Sequence, residues 1–165
     1  MTGVQTCALP ILGNATIAWM DSENKGRAVS IPVNSAIKCV AFVPESHLST
    51  KSARKLLPET ISHLDAVKNS ANTALLSYAL EHRPDLLLTA TGDYLHQSYR
   101  RDAMPKSLDL VEKLRAAGVP AMVSGAGPSV LVLHTLSEAE EAEFIKVGGA
   151  SFKAHKLGIS PRGVE

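Results

Sequence analysis

The sequence predicts an α+β fold, a ferredoxin-like split βαβ domain preceded by the last strands of a β-rich unit. Three observations predict it. From Ile37 onward the apolar patterning runs strand, helices, strand, strand, helix, strand, the order of a split βαβ unit with extra helices in its first crossover. Within that order AMVSGAGPSVLVL (Ala121–Leu133) sets two short aliphatic runs on either side of a glycine-rich turn. Before Ile37 lie two strand-like runs and a polar turn, with no helical period. Such a domain has an antiparallel sheet with helices on one face.

Taken in order, Ala15–Met20 (ATIAWM) has strand composition, and DSENKG is a turn closed by Gly26. Arg27–Val33 is a second strand, which Pro32 confines to an edge or to its own end. Ile37–Val43 becomes continuously apolar and reads as a buried third strand. Ser49 or Thr50 caps a short helix over Lys51–Leu57, stopped by Pro58. Ser62 begins a longer helix, with Asp65 completing an approximate capping box. Leu64, Val67, Ala71, Leu75 and Tyr78 give that helix one apolar stripe, and it ends around His82. Pro84 opens the next helix, which carries Leu86, Leu87, Leu88 and Ala90. Lys106–Ala117 is a helix with Leu110, Val111 and Leu114 inward and Gly118 as its stop. After the two strands at Ala121–Val123 and Val130–Leu133, Ser137 caps a helix to about Val147. Ser151–Ile159 is the final strand.

Bulk properties exclude several partners. In 165 residues the formal net charge is +1 and aromatics are 4%, which leaves neither a basic patch nor a stacking platform for nucleic acid. No apolar run reaches transmembrane length. Two cysteines, Cys7 and Cys39, make no disulfide framework and no metal spacing, so a reducing cytoplasm is the expected compartment. The histidines do not cluster, and a cation would arrive with a phosphate ligand. The first residues, MTGVQTCALPI, resemble the translation of a sequencing adapter. Residues 1–11 are therefore expected to be an artefactual leader, set aside from the fold, with the upstream part of the parent protein missing.

Four constellations could carry chemistry. In Ser124-Gly125-Ala126-Gly127-Pro128-Ser129 two glycines permit positive φ, and successive backbone N–H groups with two hydroxyls can face an anion. The alternative is a plain connection between core strands. In STKSARKLLP, Arg54 lies one turn after Thr50 and can clamp a carboxylate, or be a solvated cation. In SHLDAVKN, Asp65 and Asn69 share a helix face, and Asn69 is a poor helix former in mid-helix. In DYLHQSYRRDAMP, Asp93, His96, Arg100 and Arg101 could make a polar pocket, although two adjacent arginines cannot both point inward.

In this order and spacing, these four stretches resemble the homoserine kinases. These belong to the small-molecule kinase family that includes galactokinase, mevalonate kinase and phosphomevalonate kinase. SGAGPS is similar to that family's third motif, and the resemblance covers most of the chain after Leu12. It implies transfer of the γ-phosphoryl of ATP to the side-chain hydroxyl of L-homoserine, toward threonine, with Mg²⁺ bridging the phosphates. It implies that Arg54 and Arg100 hold the homoserine carboxylate or position the phosphoryl group, and that Asn69 lies at the substrate. The Ser124–Ser129 turn would line the cleft.

The same resemblance divides the chain into the leader at 1–11, a remnant of an ATP-binding domain at 12–35 and a C-terminal kinase domain at 36–165. The family's ATP-phosphate loop and its His-Pro-Asp-Asn-like segment are absent, so this chain alone is expected to be inactive. Asn72 stands where the family often has Arg, and Lys68 replaces a usual apolar residue. No catalytic base is assigned, and a homodimer is compatible with the reading. Alternatives are another kinase of the same family, or a non-catalytic ferredoxin-like domain that binds an amino acid or a partner.

Overall fold

The computed structural model describes residues 13–163; the expected leader at 1–11 lies outside the described residues. β1 (Ala15–Met20) and β2 (Gly26–Ile31) pair antiparallel as a separate two-stranded sheet. Asp21 shapes their turn. Its Oδ1 accepts hydrogen bonds from the backbone N–H groups of Glu23 and Lys25, and its Oδ2 accepts one from Arg27 Nε. β2 stops before Pro32, which has no N–H to offer a ladder.

The main sheet has four strands. β3 (Lys38–Pro44), β4 (Ala121–Val123), β5 (Val130–His134) and β6 (Phe152–Leu157) lie in the order β4-β5-β3-β6, each neighbour antiparallel. β3 is central, with Cys39 opposite Leu133 on one side and Leu157 on the other. This is the split βαβ order that the patterning predicts. Between β3 and β4 run α1 (Thr50–Lys55), α2 (His63–Glu81), α3 (Leu87–Ala90) and α4 (Pro105–Ala116). α5 (Glu138–Val147) connects β5 to β6.

The caps are where side-chain chemistry puts them. Ser49, Ser62 and Ser137 each accept a backbone N–H at the start of α1, α2 and α5. Ser137 and Glu140 complete a full capping box. At Ser62 the second half differs, because its hydroxyl donates to Asp65 Oδ2.

The core collects Val40, Phe42, Ala121, Val130 and Val132 of the sheet against Leu110, Val111 and Leu114 of α4 and Phe144 of α5. A second cluster joins Ile37 to Ala79, Leu80, Leu87 and Ala90, with Leu133 packed against it. Alternation along β5 places Leu133 on the face opposite Val132. Helical cover is therefore not confined to one face, because the extra crossover helices need an apolar surface of their own.

The expected stripe on α2 is corrected. Leu64, Val67 and Tyr78 are more than half exposed. The face turned inward runs Asp65, Asn69, Asn72, Leu76 and Ala79, about one residue out of phase, and of the expected stripe Leu75 alone packs against the second cluster. Polar anchoring at Asn69 and Asn72, described below, overrides the apolar period.

One polar cluster sits inside the packed layer. His134 is 1% exposed, and its Nε2 stands 3.0 Å from Oε2 of the buried Glu141. Lys156 Nζ lies 2.5 Å from Glu141 Oε1. His134 Nδ1 accepts the Leu136 N–H, so the imidazole carries its proton on Nε2. Burial pushes the His134 imidazole below its ordinary value. The Lys156 hydrogen bond holds the Glu141 carboxyl low. Both groups bind protons more readily in the unfolded chain, so both contribute stability at neutral pH that is lost as pH falls. The loss begins at His134 below about pH 6.5 and at Glu141 below about 4.5. The melting temperature should therefore drop between about pH 7.5 and 5.5, and His134→Gln should flatten that drop. An unchanged slope in the variant, measured by thermal denaturation, would contradict this assignment.

Candidate functional site

The glycine turn leaves β4 at Ser124 and enters β5 at Val130. Ser124 N–H donates to Ser129 O at 2.8 Å, and Gly127 N–H donates to Ser124 O at 3.0 Å. Gly125 and Gly127 have φ of +59° and +82°, and the Gly127–Pro128 peptide is cis. The N–H groups of Gly125 and Ala126 have no acceptor among the described residues, while Ser124 and Gly125 are exposed. The loop therefore spends two of its donors on its own shape and leaves two adjacent ones open.

Arg100 holds this loop from behind. It is 5% exposed, in the 3-10 turn Ser98–Ala103, and its Nη1 donates to Gly125 O at 2.9 Å. Its Nε is buried with no hydrogen-bond partner among the described residues. Arg101 turns outward to Asp109 and Glu112, so the adjacent arginines divide as expected. The loop's other end is held by Ser107 of α4, which donates to Pro128 O at 2.6 Å. Gln97 Oε1 accepts the Val123 N–H, also at 2.6 Å, and pins the strand end where the loop begins.

Beside the loop is a cavity of about 200 Å³ between α2, the segment after α3 and β4. Asn69, Thr91, Asp93, His96, Gln97 and Val123 line it. Two asparagines of α2 fix the wall. Asn69 Oδ1 accepts the Tyr94 N–H at 3.1 Å, and Asn72 Nδ2 donates to Gly92 O at 2.9 Å. A side chain at position 92 would strike the Asn72 amide, with a Cβ 2.8 Å from Nδ2. Asp93 folds the next turn, its Oδ1 accepting from the N–H groups of Leu95 and His96 and lying 3.2 Å from His96 Nδ1. Burial works against an ionised Asp93. The His96 and backbone hydrogen bonds outweigh it, so the carboxyl lies below its usual value.

Residues 75–145, from the second half of α2 to the last turns of α5, match the family described as GHMP kinases C terminal. That match spans 71 of the 165 residues of the chain. It is 44% identical over 153 residues to a homoserine kinase of Streptomyces coelicolor, covering 93% of this chain and 48% of that one. It is 43% identical over 148 residues to a homoserine kinase of Corynebacterium diphtheriae, covering 82% and 48%. The fold also superimposes on the crystal structure of a homoserine kinase from Cytophaga hutchinsonii. The TM-score is 0.78 at 23% identity, over 94% of this chain and 51% of that one. The chain thus spans about half the length of the curated relatives it matches.

The structure joins Arg100 to the glycine turn and brings Asn69 to the adjoining cavity. Arg54 is placed apart. It lies exposed in the last turn of α1 and is not among the cavity-lining residues. Sequence reasoning missed Asn72, Gln97, Ser107 and Arg115. Arg115 of α4 donates to Thr91 Oγ1, Ala121 O and Leu88 O, tying α3 to the start of β4. Asn72 was discoverable, three residues after Asn69 on the same helix face. The others serve backbone carbonyls and N–H groups that no sequence pattern announces. No helix among the described residues is long and apolar enough to cross a membrane.

Proposed function

We propose that this chain forms the acceptor-side half of an ATP-dependent homoserine kinase, which transfers the γ-phosphoryl of ATP to the side-chain hydroxyl of L-homoserine. The observation that carries the reading is the buried Arg100 guanidinium bonded to Gly125 O, behind a turn whose Gly125 and Ala126 N–H groups have no partner. Phosphoryl transfer is mostly positioning and charge neutralisation, and a rigid turn with open donors backed by a buried cation suits that task. In this reading the Ser124–Ser129 turn faces the phosphates, and Arg100 is a positioning residue that keeps the turn in shape. Asn69 lines the acceptor pocket, and Arg54 of α1 meets the amino-acid carboxylate.

The two-stranded sheet within 12–35 belongs, on this reading, to the nucleotide-binding domain, and 36–165 is the kinase's C-terminal domain. Among the described residues no three His, Cys, Asp or Glu side chains gather as a metal cage. On this reading Mg²⁺ arrives on the nucleotide phosphates. The reaction belongs in the cytoplasm, where ATP and free amino acids meet.

A chimaera tests this. Residues 36–163 replace the matching region of the Streptomyces coelicolor relative, and ADP formation is followed with ATP and L-homoserine. Homoserine-dependent turnover within about tenfold of the parent is expected, a loss under 1.4 kcal/mol of transition-state stabilisation. A folded chimaera that phosphorylates mevalonate-type alcohols but not homoserine, or nothing at all, would overturn it.

A further inference from the structure

The β1–β2 hairpin is tied to the rest of the molecule at both of its ends, and one of the ties is the C-terminal tail. A two-stranded sheet is marginal in water by itself, so what fixes this one lies outside its own ladder. At the entrance, Asn14 N–H donates to Ser160 O at 2.7 Å, and Asn14 Nδ2 donates to Pro161 O at 3.0 Å. Gly13 beside it is buried at φ +69°. A Cβ there would lie 2.7 Å from Gly163 N and still nearer the Arg162 carbonyl carbon. The tail therefore crosses directly over Gly13, where only a residue without a side chain admits it. Ser30 of β2 donates to Gly13 O at 3.2 Å, so the crossing reaches both strands. At the exit, Asn34 N–H donates to Leu80 O at 2.8 Å, and Asn34 Nδ2 donates to Glu81 O at 3.3 Å. These carbonyls belong to the last turn of α2, where the helix offers them no donor of its own. Between the two ties Ala15, Val33 and Ile159 pack on the cluster that contains Ala79 and Leu80.

We infer that residues 158–163 are a latch. Closed over Gly13, the tail locks the hairpin onto α2; lifted, it frees the hairpin while the four-stranded sheet stands. The tail is built to move as a piece. It leaves β6 at Gly158, which is exposed and has open space where a Cβ would be. Its own turn is closed internally, by the Ser160 hydroxyl donating to Arg162 O. With the latch closed, hairpin, tail and α2 are one body, and the cavity wall at Asn69 and Asn72 is held on the same helix. The latch rests on these contacts alone. Only its consequence rests on the kinase reading: the hairpin then belongs to the nucleotide side, and the tail ties that side to the acceptor wall.

Hydrogen exchange on the full chain tests this without substrate or nucleotide. The ladder amides of β1 and β2 are expected to be protected to within about a hundredfold of those in β3, well above the level of a frayed hairpin. A chain ending at Ile159 keeps the apolar anchor and loses both carbonyls that hold Asn14. Hairpin protection should fall at least about tenfold in it, while β3 and β5 amides change less than about twofold. Asn14→Gly keeps the backbone freedom and loses only the bond to Pro161 O, so it should give a smaller fall confined to the hairpin, and it decides the matter where the shortened chain does not fold. Unprotected hairpin amides in the full chain, unchanged protection in a folded variant, or equal losses in both sheets would each overturn the latch. Hairpin-confined loss alongside an inactive chimaera would refute the kinase reading and leave the latch standing.

Discussion

Replacing Gly127 by alanine will lower the stability of this chain by about 2–3 kcal/mol and loosen the turn it belongs to. Two costs add. At φ +82° an L-residue is strained, by about 1–2 kcal/mol. A Cβ there would also lie 2.6 Å from Met104 Sδ and Cε and 3.0 Å from Val123 Cγ1. Met104 is 4% exposed, so its thioether must move within a packed site. Gly125 is the internal control. Its φ is +59°, in the ordinary left-handed region, and a Cβ there meets nothing within 4 Å. Gly125→Ala should therefore cost only about 1 kcal/mol. Urea denaturation of both variants checks the difference, and equal losses would show that Met104 and Val123 yield freely. Because Val123 lines the cavity, Gly127→Ala should also weaken amino-acid binding more than Gly125→Ala does.

Phe42→Ala will be the most damaging single core change, at about 3–5 kcal/mol. Phe42 is fully buried on the central strand β3. Its ring centroid lies 6.4 Å from that of Phe144 on α5 and 6.5 Å from that of Phe152 on β6. Gly148 presses against the same ring so closely that a Cβ there would sit 2.7 Å from Cε1. Removal leaves a cavity bounded by three elements that cannot collapse together. Phe42 also faces Val130 in register, the residue at which the glycine turn enters β5. Against a typical total of about 5–15 kcal/mol, such a loss leaves the chain marginal. A fall in urea midpoint with unchanged slope is the expected signature. A loss under about 1.5 kcal/mol would mean the aromatic trio repacks.

How legible the chain was depends on where each element gets its stability. β1, β4, the Ser49, Ser62 and Ser137 caps and the Gly118 stop are set by local chemistry, and each falls where the sequence places it. The sheet order follows from the element order, since the connections of a split βαβ unit leave few alternatives. The face of α2 was not legible. Its apolar residues offer one phase, but two side-chain-to-backbone bonds from Asn69 and Asn72 to residues some twenty positions away select another. The Asn72 bond satisfies a part-buried polar group that would be costly to leave unmade. Leu64, Val67 and Tyr78 are left outside.

The site divides along the same line. The sequence by itself determined that a glycine-rich turn joins two core strands, that one of Arg100 and Arg101 must turn outward, and that Asn69 is anomalous in mid-helix. These follow from backbone freedom, helix geometry and propensity, all properties of neighbours in the chain. Only the tertiary structure decided that Arg100 is the buried one and that its guanidinium holds Gly125 O. Only the tertiary structure showed that Asp93, rather than Arg54, stands at the cavity beside the turn. Those outcomes depend on which desolvated donors find acceptors across gaps of 25 residues or more in sequence, a matching that no local pattern encodes.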